Sequence, residues 1–159
     1  MVVIKKTLHI DTDSKFQIVD LTNDINKILQ DEKVNEGIIN IFTKHSTSAI
    51  CINENESGLL EDFKLILDEI IPNKNYKHDH IDNNAKSHLQ SFLLKSSETV
   101  PVYNKQLDLG TWQSIFFVEL DGTRLNRNIN LTIMGFWLVI DNIISDRFMH
   151  EIKKKELDC

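Results

Sequence analysis

Cysteine is scarce in this chain: Cys51 lies inside an apolar run and Cys159 at its C-terminal end. Neither a disulfide framework nor a cysteine-built zinc site is therefore indicated, and a reducing, cytoplasmic compartment fits best. Net positive charge is lacking as well, with a formal charge of -6 and a pI near 5.5. That balance argues against the basic patch or stripe that DNA or RNA binding requires, although local basic sites remain open. Long apolar runs are missing too. The longest stretch, 136–140 with its neighbours, falls far short of the roughly 20 residues that span a bilayer, so no membrane span is expected. Residues 1–6 lack the basic-then-apolar order of a secretory signal, which leaves the glycosylation-type matches at Asn55 and Asn130 with little weight. No Gly-rich phosphate loop, Gly-x-Ser-x-Gly elbow or His-Glu-x-x-His helix occurs, so nucleotide hydrolysis, ordinary esterase chemistry and zinc-protease chemistry lack their usual support.

What is present fits one domain. The chain has 159 residues and is 41% hydrophobic, enough for a substantial core, with no repeat, low-complexity tract or Gly/Ser linker to divide it. Even spacing of Val2, Ile4, Leu8 and Ile10, resumed at Phe16 and Ile18, predicts two early strands. Ile25, Ile28 and Leu29 share a helical face over 22–33, with Gly37 just beyond. Two β-branched runs, Ile38 to Phe42 and Ala49 to Ile52, flank the polar 44–48 segment as buried strands. The clearest helix covers 56–71, where Leu59, Leu60, Phe63, Ile66, Leu67, Ile70 and Ile71 keep helical spacing until Pro72. A polar loop follows over 73–84, then a short helix bearing Ala85, His88, Leu89 and Phe92. Strands are expected over 99–103, 113–120 and 128–134, with a turn at Asp121-Gly122. Few helices between many strands predict an α+β fold with an antiparallel or mixed sheet. The 136–159 segment suits a helix through Ile140, Ile143, Ile144, Phe148 and Ile152, although 136–139 could equally prolong the last strand.

Three segments concentrate polar groups on apolar scaffolding. His45 and the hydroxyls of Ser46, Thr47 and Ser48 lie between two apolar strands, where a bend could project them into a cleft; a hydrogen-bonded loop capping strand ends reads equally well. His78-Asp79-His80 with His88 offers imidazoles and a carboxylate, the usual ligands of zinc and similar metals, yet matches no compact zinc motif and reads equally well as a solvated loop. His9 and His150 look like ordinary surface or packing histidines. Gly110-Thr111-Trp112-Gln113 permits a tight turn carrying a flat ring and an orienting amide, with Trp112 more at home in a core. Arg124 and Arg127 could grip phosphate or carboxylate, but exposed turn arginines are more common.

The segments Lys44-His45-Ser46-Thr47-Ser48-Ala49, Asn53-Glu54-Asn55, Tyr76-Lys77-His78-Asp79, Ser87-His88-Leu89, Val100-Pro101-Val102, Leu109-Gly110-Thr111-Trp112-Gln113 and Asp121-Gly122-Thr123-Arg124, in that order and spacing, resemble the YjbQ-type family from about Ile4 to Gly135. The resemblance implies an antiparallel β-sandwich flanked by helices over 1–135, a C-terminal extension over 136–159, and a homotrimer with pockets near subunit boundaries. It also implies a thiamine-phosphate synthase-like transferase of low or side activity, which joins hydroxymethylpyrimidine diphosphate to thiazole phosphate. Carried over by motif, His45, His78, His88, Asp79 and Glu54 are the candidate catalytic residues, and Ser48, Thr111, Gln113 and Arg124 the candidate substrate contacts. His45, His78 and His88 would ligate a divalent metal, Mg or Zn, if one is bound. The alternative is a non-catalytic trimer that binds a metal or small anion through the same residues; a third reading treats 136–152 as an assembly element. Lys105 stands where the family usually has glycine, and Phe136 where it usually has an acidic residue.

Overall fold

The computed structural model describes residues 1–137. The early alternation becomes strands β1 (Val2–Thr12) and β2 (Gln17–Asp20), and the amphipathic segment becomes helix α1 (Thr22–Asp31). Lys33, with φ at 57°, turns the chain out of α1, whereas Gly37 lies inside the next strand. That strand, β3 (Val34–Thr43), and β4 (Ser48–Glu54) are the two β-branched runs. Helix α2 (Ser57–Ile70) starts where the Glu56 carboxylate accepts from the N–H groups of Gly58 and Leu59, each at 2.8 Å, and these bonds hold its carboxyl below the usual range. A 3₁₀ turn (Lys77–His80) interrupts the expected loop before α3 (Ala85–Leu94). Strands β5 (Ser97–Tyr103), β6 (Gln106–Leu107), β7 (Gln113–Glu119) and β8 (Arg124–Trp137) complete the described chain.

The fold is α+β. One antiparallel sheet has the order β1-β8-β3-β5-β6 and the other β2-β7-β4. Their inner faces meet through Ile39, Ile41, Ile129, Leu131 and Ile133 from the first and Ile50, Ile115 and Phe117 from the second, and α1 adds Ile25 and Leu29, with Leu21 just before it. Each of these side chains is fully buried. At roughly 1.5–3 kcal/mol per buried large aliphatic or aromatic group, this layer dominates stability. A second cluster, with Phe116 and Val118 of β7, Leu67 of α2 and Leu94 partly buried, covers the outer face of the smaller sheet. Among the described residues no helix is long and apolar enough to cross a membrane.

The Asp121-Gly122 turn does not close a hairpin, because β7 and β8 belong to different sheets. It is a corner pressed onto the β1–β2 connection. The Gly122 N–H donates to the Lys15 carbonyl at 3.0 Å, and a Cβ on Gly122 would stand 2.0 Å from the Ser14 carbonyl oxygen. Strand β8 runs through Phe136 and Trp137, past the expected domain limit at 135, so the strand alternative holds for those two residues; the expected helix over the remaining extension lies outside the described residues.

The short β6 strand had no periodic signal and is paired by a two-residue hairpin whose central residues, Asn104 and Lys105, sit at φ 51° and 62°. Two successive positive φ values are the signature of a type I′ turn, which favours Asn-Gly. Glycine at position 105 is therefore the relaxed choice and lysine a strained one. Lys105→Gly is expected to raise the unfolding free energy by about 1 kcal/mol, measured by urea denaturation; an unchanged or lower midpoint would show that the lysine side chain compensates for its backbone.

Candidate functional site

The site is built where β3 leaves its sheet. The β3–β8 ladder ends at Thr43 opposite Ile129, so the next β8 residue, Asn128, has no β3 partner on that side. The imidazole of His45 takes that place: the backbone N–H of Asn128 donates to His45 Nε2 at 2.9 Å. A ring nitrogen that accepts carries no proton, so a neutral His45 holds its proton on Nδ1. Burial first, and the Arg127 charge second, lower the His45 pKa against a smaller opposing pull from Glu119, which favours that neutral ring. The loop is tightened from within by Ser48, whose hydroxyl lies 2.6 Å from that of Thr43 and donates to the His45 carbonyl at 3.2 Å. Ser48 is fully buried. Its role in the single chain is to shape the loop.

Beneath the loop, Arg127 and Glu119 form a buried pair. Arg127 Nε and Nη2 donate to the two Glu119 carboxylate oxygens at 2.6 and 2.5 Å, and Nη2 also reaches the Thr47 hydroxyl at 3.2 Å. Arg127, expected as an exposed turn residue, is 6% exposed, and Glu119, which carried no sequence signal beyond its place at the end of an apolar strand, is 0% exposed. Arg124 instead remains half exposed and pairs with Asp121 at 2.8 Å.

Helix α3 supplies the facing wall. His88, Ser91, Phe92, Lys95 and Ser96 line a cleft of about 330 Å³ together with Phe42, Thr43, Lys44, His45 and Ser46. The Ser91 hydroxyl donates to the Ser48 carbonyl at 2.8 Å, and the Thr43 N–H to the Ser96 carbonyl at 2.9 Å, fixing helix against loop. Two lysines, two imidazoles and four hydroxyl residues thus converge, with no carboxylate among the described residues that line the cleft. Lys95, Ser91 and Ser96 were not singled out by the sequence, because only the docking of α3 against the 44–47 loop brings them beside Lys44, which the motif contained without a role.

His88 also borders a second recess of about 450 Å³, lined by Tyr76, Lys77, His78, Ala85, Leu89 and Phe92. The rings of His78 and His88 meet edge to face with centroids 4.8 Å apart. His78 Nε2 is buried without a hydrogen-bond partner. Asp79 is committed elsewhere: its carboxylate accepts from Ala85 N at 2.9 Å, capping α3, and from Tyr76 N at 3.3 Å. The three-histidine metal set expected from the resemblance does not fit this arrangement. His45 Nε2 is already an acceptor, and a neutral ring that accepts there keeps its proton on Nδ1, so neither nitrogen of that ring offers a free lone pair; no group of three His, Cys, Asp or Glu side chains converges among the described residues.

The remaining candidates lie elsewhere. Ser48 faces Glu119 at one end of the β4–β7 ladder, while Glu54 faces Gln113 at the other, about 20 Å away at the usual strand rise. Gln113 folds back on its own turn, its side-chain carbonyl accepting from Gly110 N at 2.9 Å. Trp112, expected in a core, is 72% exposed beside Thr111 and Gln113. Cys51 is no nucleophile here, since burial pushes its thiol up to about 11.

The UPF0047 protein YjbQ-like family model matches residues 6–136. A UPF0047 protein from Methanothermobacter thermautotrophicus is 48% identical over 136 residues, covering 85% of this chain and 94% of its own length. The UPF0047 protein YugU of Bacillus subtilis is 34% identical over 131 residues, covering 82% and 98% respectively. Among solved structures, a YbjQ-like protein of unknown function from Sulfolobus solfataricus matches with a TM-score of 0.82 and 39% identity, over 85% of this chain and 99% of that one. An uncharacterized YjbQ/UPF0047 protein from Clostridium acetobutylicum matches with a TM-score of 0.74 and 33% identity, over 82% and 99%. With most of its length matched in sequence and in fold, this chain belongs to the UPF0047 protein YjbQ-like family.

Proposed function

We propose that the cleft between the 44–47 loop and α3 binds a small phosphorylated molecule, and that the protein acts as a thiamine-phosphate synthase-like transferase of low activity. The observation that supports this reading is the lining: Lys44, Lys95, His45, His88 and serine hydroxyls without a carboxylate, in a chain whose net charge is -6. Concentrating donors and cations against the overall charge is what capture of phosphate or diphosphate demands. In a transfer that forms a bond to the thiazole as the bond to diphosphate breaks, negative charge grows on the departing group. Fixed ammonium and N–H donors around it stabilise that change. The recess across His88, with Tyr76, His78, Leu89 and an 84% exposed Phe92, suits the flat ring of such a substrate.

The exposed Trp112, with Thr111, Gln113 and Glu54 beside it, stands too far from His45 to serve the same cleft within one chain. In a homotrimer, the assembly that this reading includes, a neighbouring copy would bring those residues to a shared pocket. A second reading, binding of a small anion without turnover, is favoured by the commitment of Asp79 to the α3 cap and of His45 Nε2 to Asn128, which leaves neither as a free base.

The test is thiamine-phosphate formation by the full chain with hydroxymethylpyrimidine diphosphate, thiazole phosphate and Mg²⁺, alongside folded His45→Ala and His88→Ala variants. Product lost in both variants is the expected result. Phosphate binding without any product above these controls would leave the anion-binding reading in its place.

A further inference from the structure

A buried charge pair is seldom explained by stability, since apolar side chains of the same volume often serve as well or better. The Glu119–Arg127 pair is unusually well furnished. Glu119 accepts from the Thr12 hydroxyl at 3.2 Å, from Leu120 N at 3.1 Å, from Asp121 N at 2.9 Å and from both Arg127 nitrogens. Arg127 extends the network to the Thr47 hydroxyl, and the Thr47 carbonyl accepts from Leu120 N at 3.1 Å. The loop is therefore held at Thr47 by side chain and backbone, two residues after His45. On the other side, Asn128, the neighbour of Arg127 in β8, supplies the N–H that fills His45 Nε2.

We propose that the Glu119–Arg127–Thr47 network is a positioning device that locks His45 in the Nδ1–H tautomer, so that the ring enters the cleft as a hydrogen-bond donor and not as a metal ligand. Three strands meet in this device: β7 through Glu119, β8 through Arg127 and Asn128, and β1 through Thr12. Together they fix the loop height against β8, and with it the Nε2 contact. A donor is what an anion needs from this wall, whereas a metal ion needs the lone pair that Asn128 already occupies. This consequence rests on the anion-binding reading; the tautomer itself does not.

The experiment reads the tautomer directly, on the full chain without ligand, from the ¹⁵N shifts and one-bond couplings of the histidine rings, with His45 assigned through His45→Gln. The expected wild-type spectrum has a protonated Nδ1 and an unprotonated Nε2. Thr47→Val, which removes the hydroxyl and leaves the buried pair intact, is expected to mix the two tautomers, and Thr47→Ser to restore the single one. The charge-free pair Glu119→Leu/Arg127→Met, which keeps the interior apolar, is expected to mix them further and to weaken inorganic phosphate binding by about tenfold. A wild-type ring protonated at Nε2, or a folded double variant with the wild-type tautomer, overturns the proposal. If the tautomer responds as expected but wild-type protein binds no phosphate, the positioning device stands and the anion-binding reading falls.

Discussion

Arg127→Met is expected to lower the unfolding free energy by about 3–5 kcal/mol, the largest loss from any single substitution at an ion pair among the described residues. Glu119 is 0% exposed, and without Arg127 its charge would remain in the interior with only neutral donors around it. Two of the more exposed pairs offer a contrast. Lys6–Glu32 and Arg124–Asp121 have side chains 43% and 27%, and 51% and 14%, exposed, so water screens both, and breaking either should cost less than about 1 kcal/mol. Removing both partners of the buried pair at once should recover most of the loss, because no orphan charge is then left inside. Urea denaturation of Arg127→Met, Glu119→Leu and the double variant measures this coupling. Strict additivity of the two single losses would mean that the residues do not act as a pair.

How legible the fold was depended on how local each signal is. β1 and α2 could be read from spacing alone, because Val2, Ile4, Leu8 and Ile10, and Leu60, Phe63 and Leu67, each face one packed layer. Arg127 could not: the run from Asp121 to Asn128 is polar apart from Leu125 and reads as a turn extending to the strand, yet β8 starts at Arg124 and points Arg127 inward at a carboxylate on another sheet. Lys105 and Lys33 broke the rule that glycine or asparagine takes positive φ, so the turn after α1 left no mark in the sequence and the hairpin turn only the half-signal of Asn104. At the site, His45 and His88 were legible by motif and do share a cleft. Lys95, Ser91 and Ser96 join them only through the docking of α3 against a loop some forty residues earlier, a non-local event that spacing does not encode. Trp112 carries the opposite lesson. Its size argues for burial, and its exposure marks the end of the molecule farthest from His45 along the β4–β7 ladder.

The largest functional effect is expected from the charge reversal Lys44→Glu/Lys95→Glu, which should weaken inorganic phosphate binding by at least about 100-fold in low salt, since each ammonium–phosphate contact contributes about 1.5–3 kcal/mol and reversal adds repulsion. The backbone at Lys95 sharpens the case. It closes α3 at φ 71° and ψ 159°, a region almost reserved for glycine, while its carbonyl accepts from Ile50 N at 3.3 Å and its N–H donates to Ser91. A lysine held there costs roughly 1–3 kcal/mol of strain, of which glycine would return part against its own greater chain entropy. Lys95→Gly is therefore expected to raise stability by about 1 kcal/mol while weakening phosphate binding by about tenfold, with the two effects read by urea denaturation and calorimetric titration. A gain in stability with unchanged affinity would remove Lys95 from the anion site. A loss in both would mean that its side chain, through packing over the cleft, already compensates for the backbone it distorts.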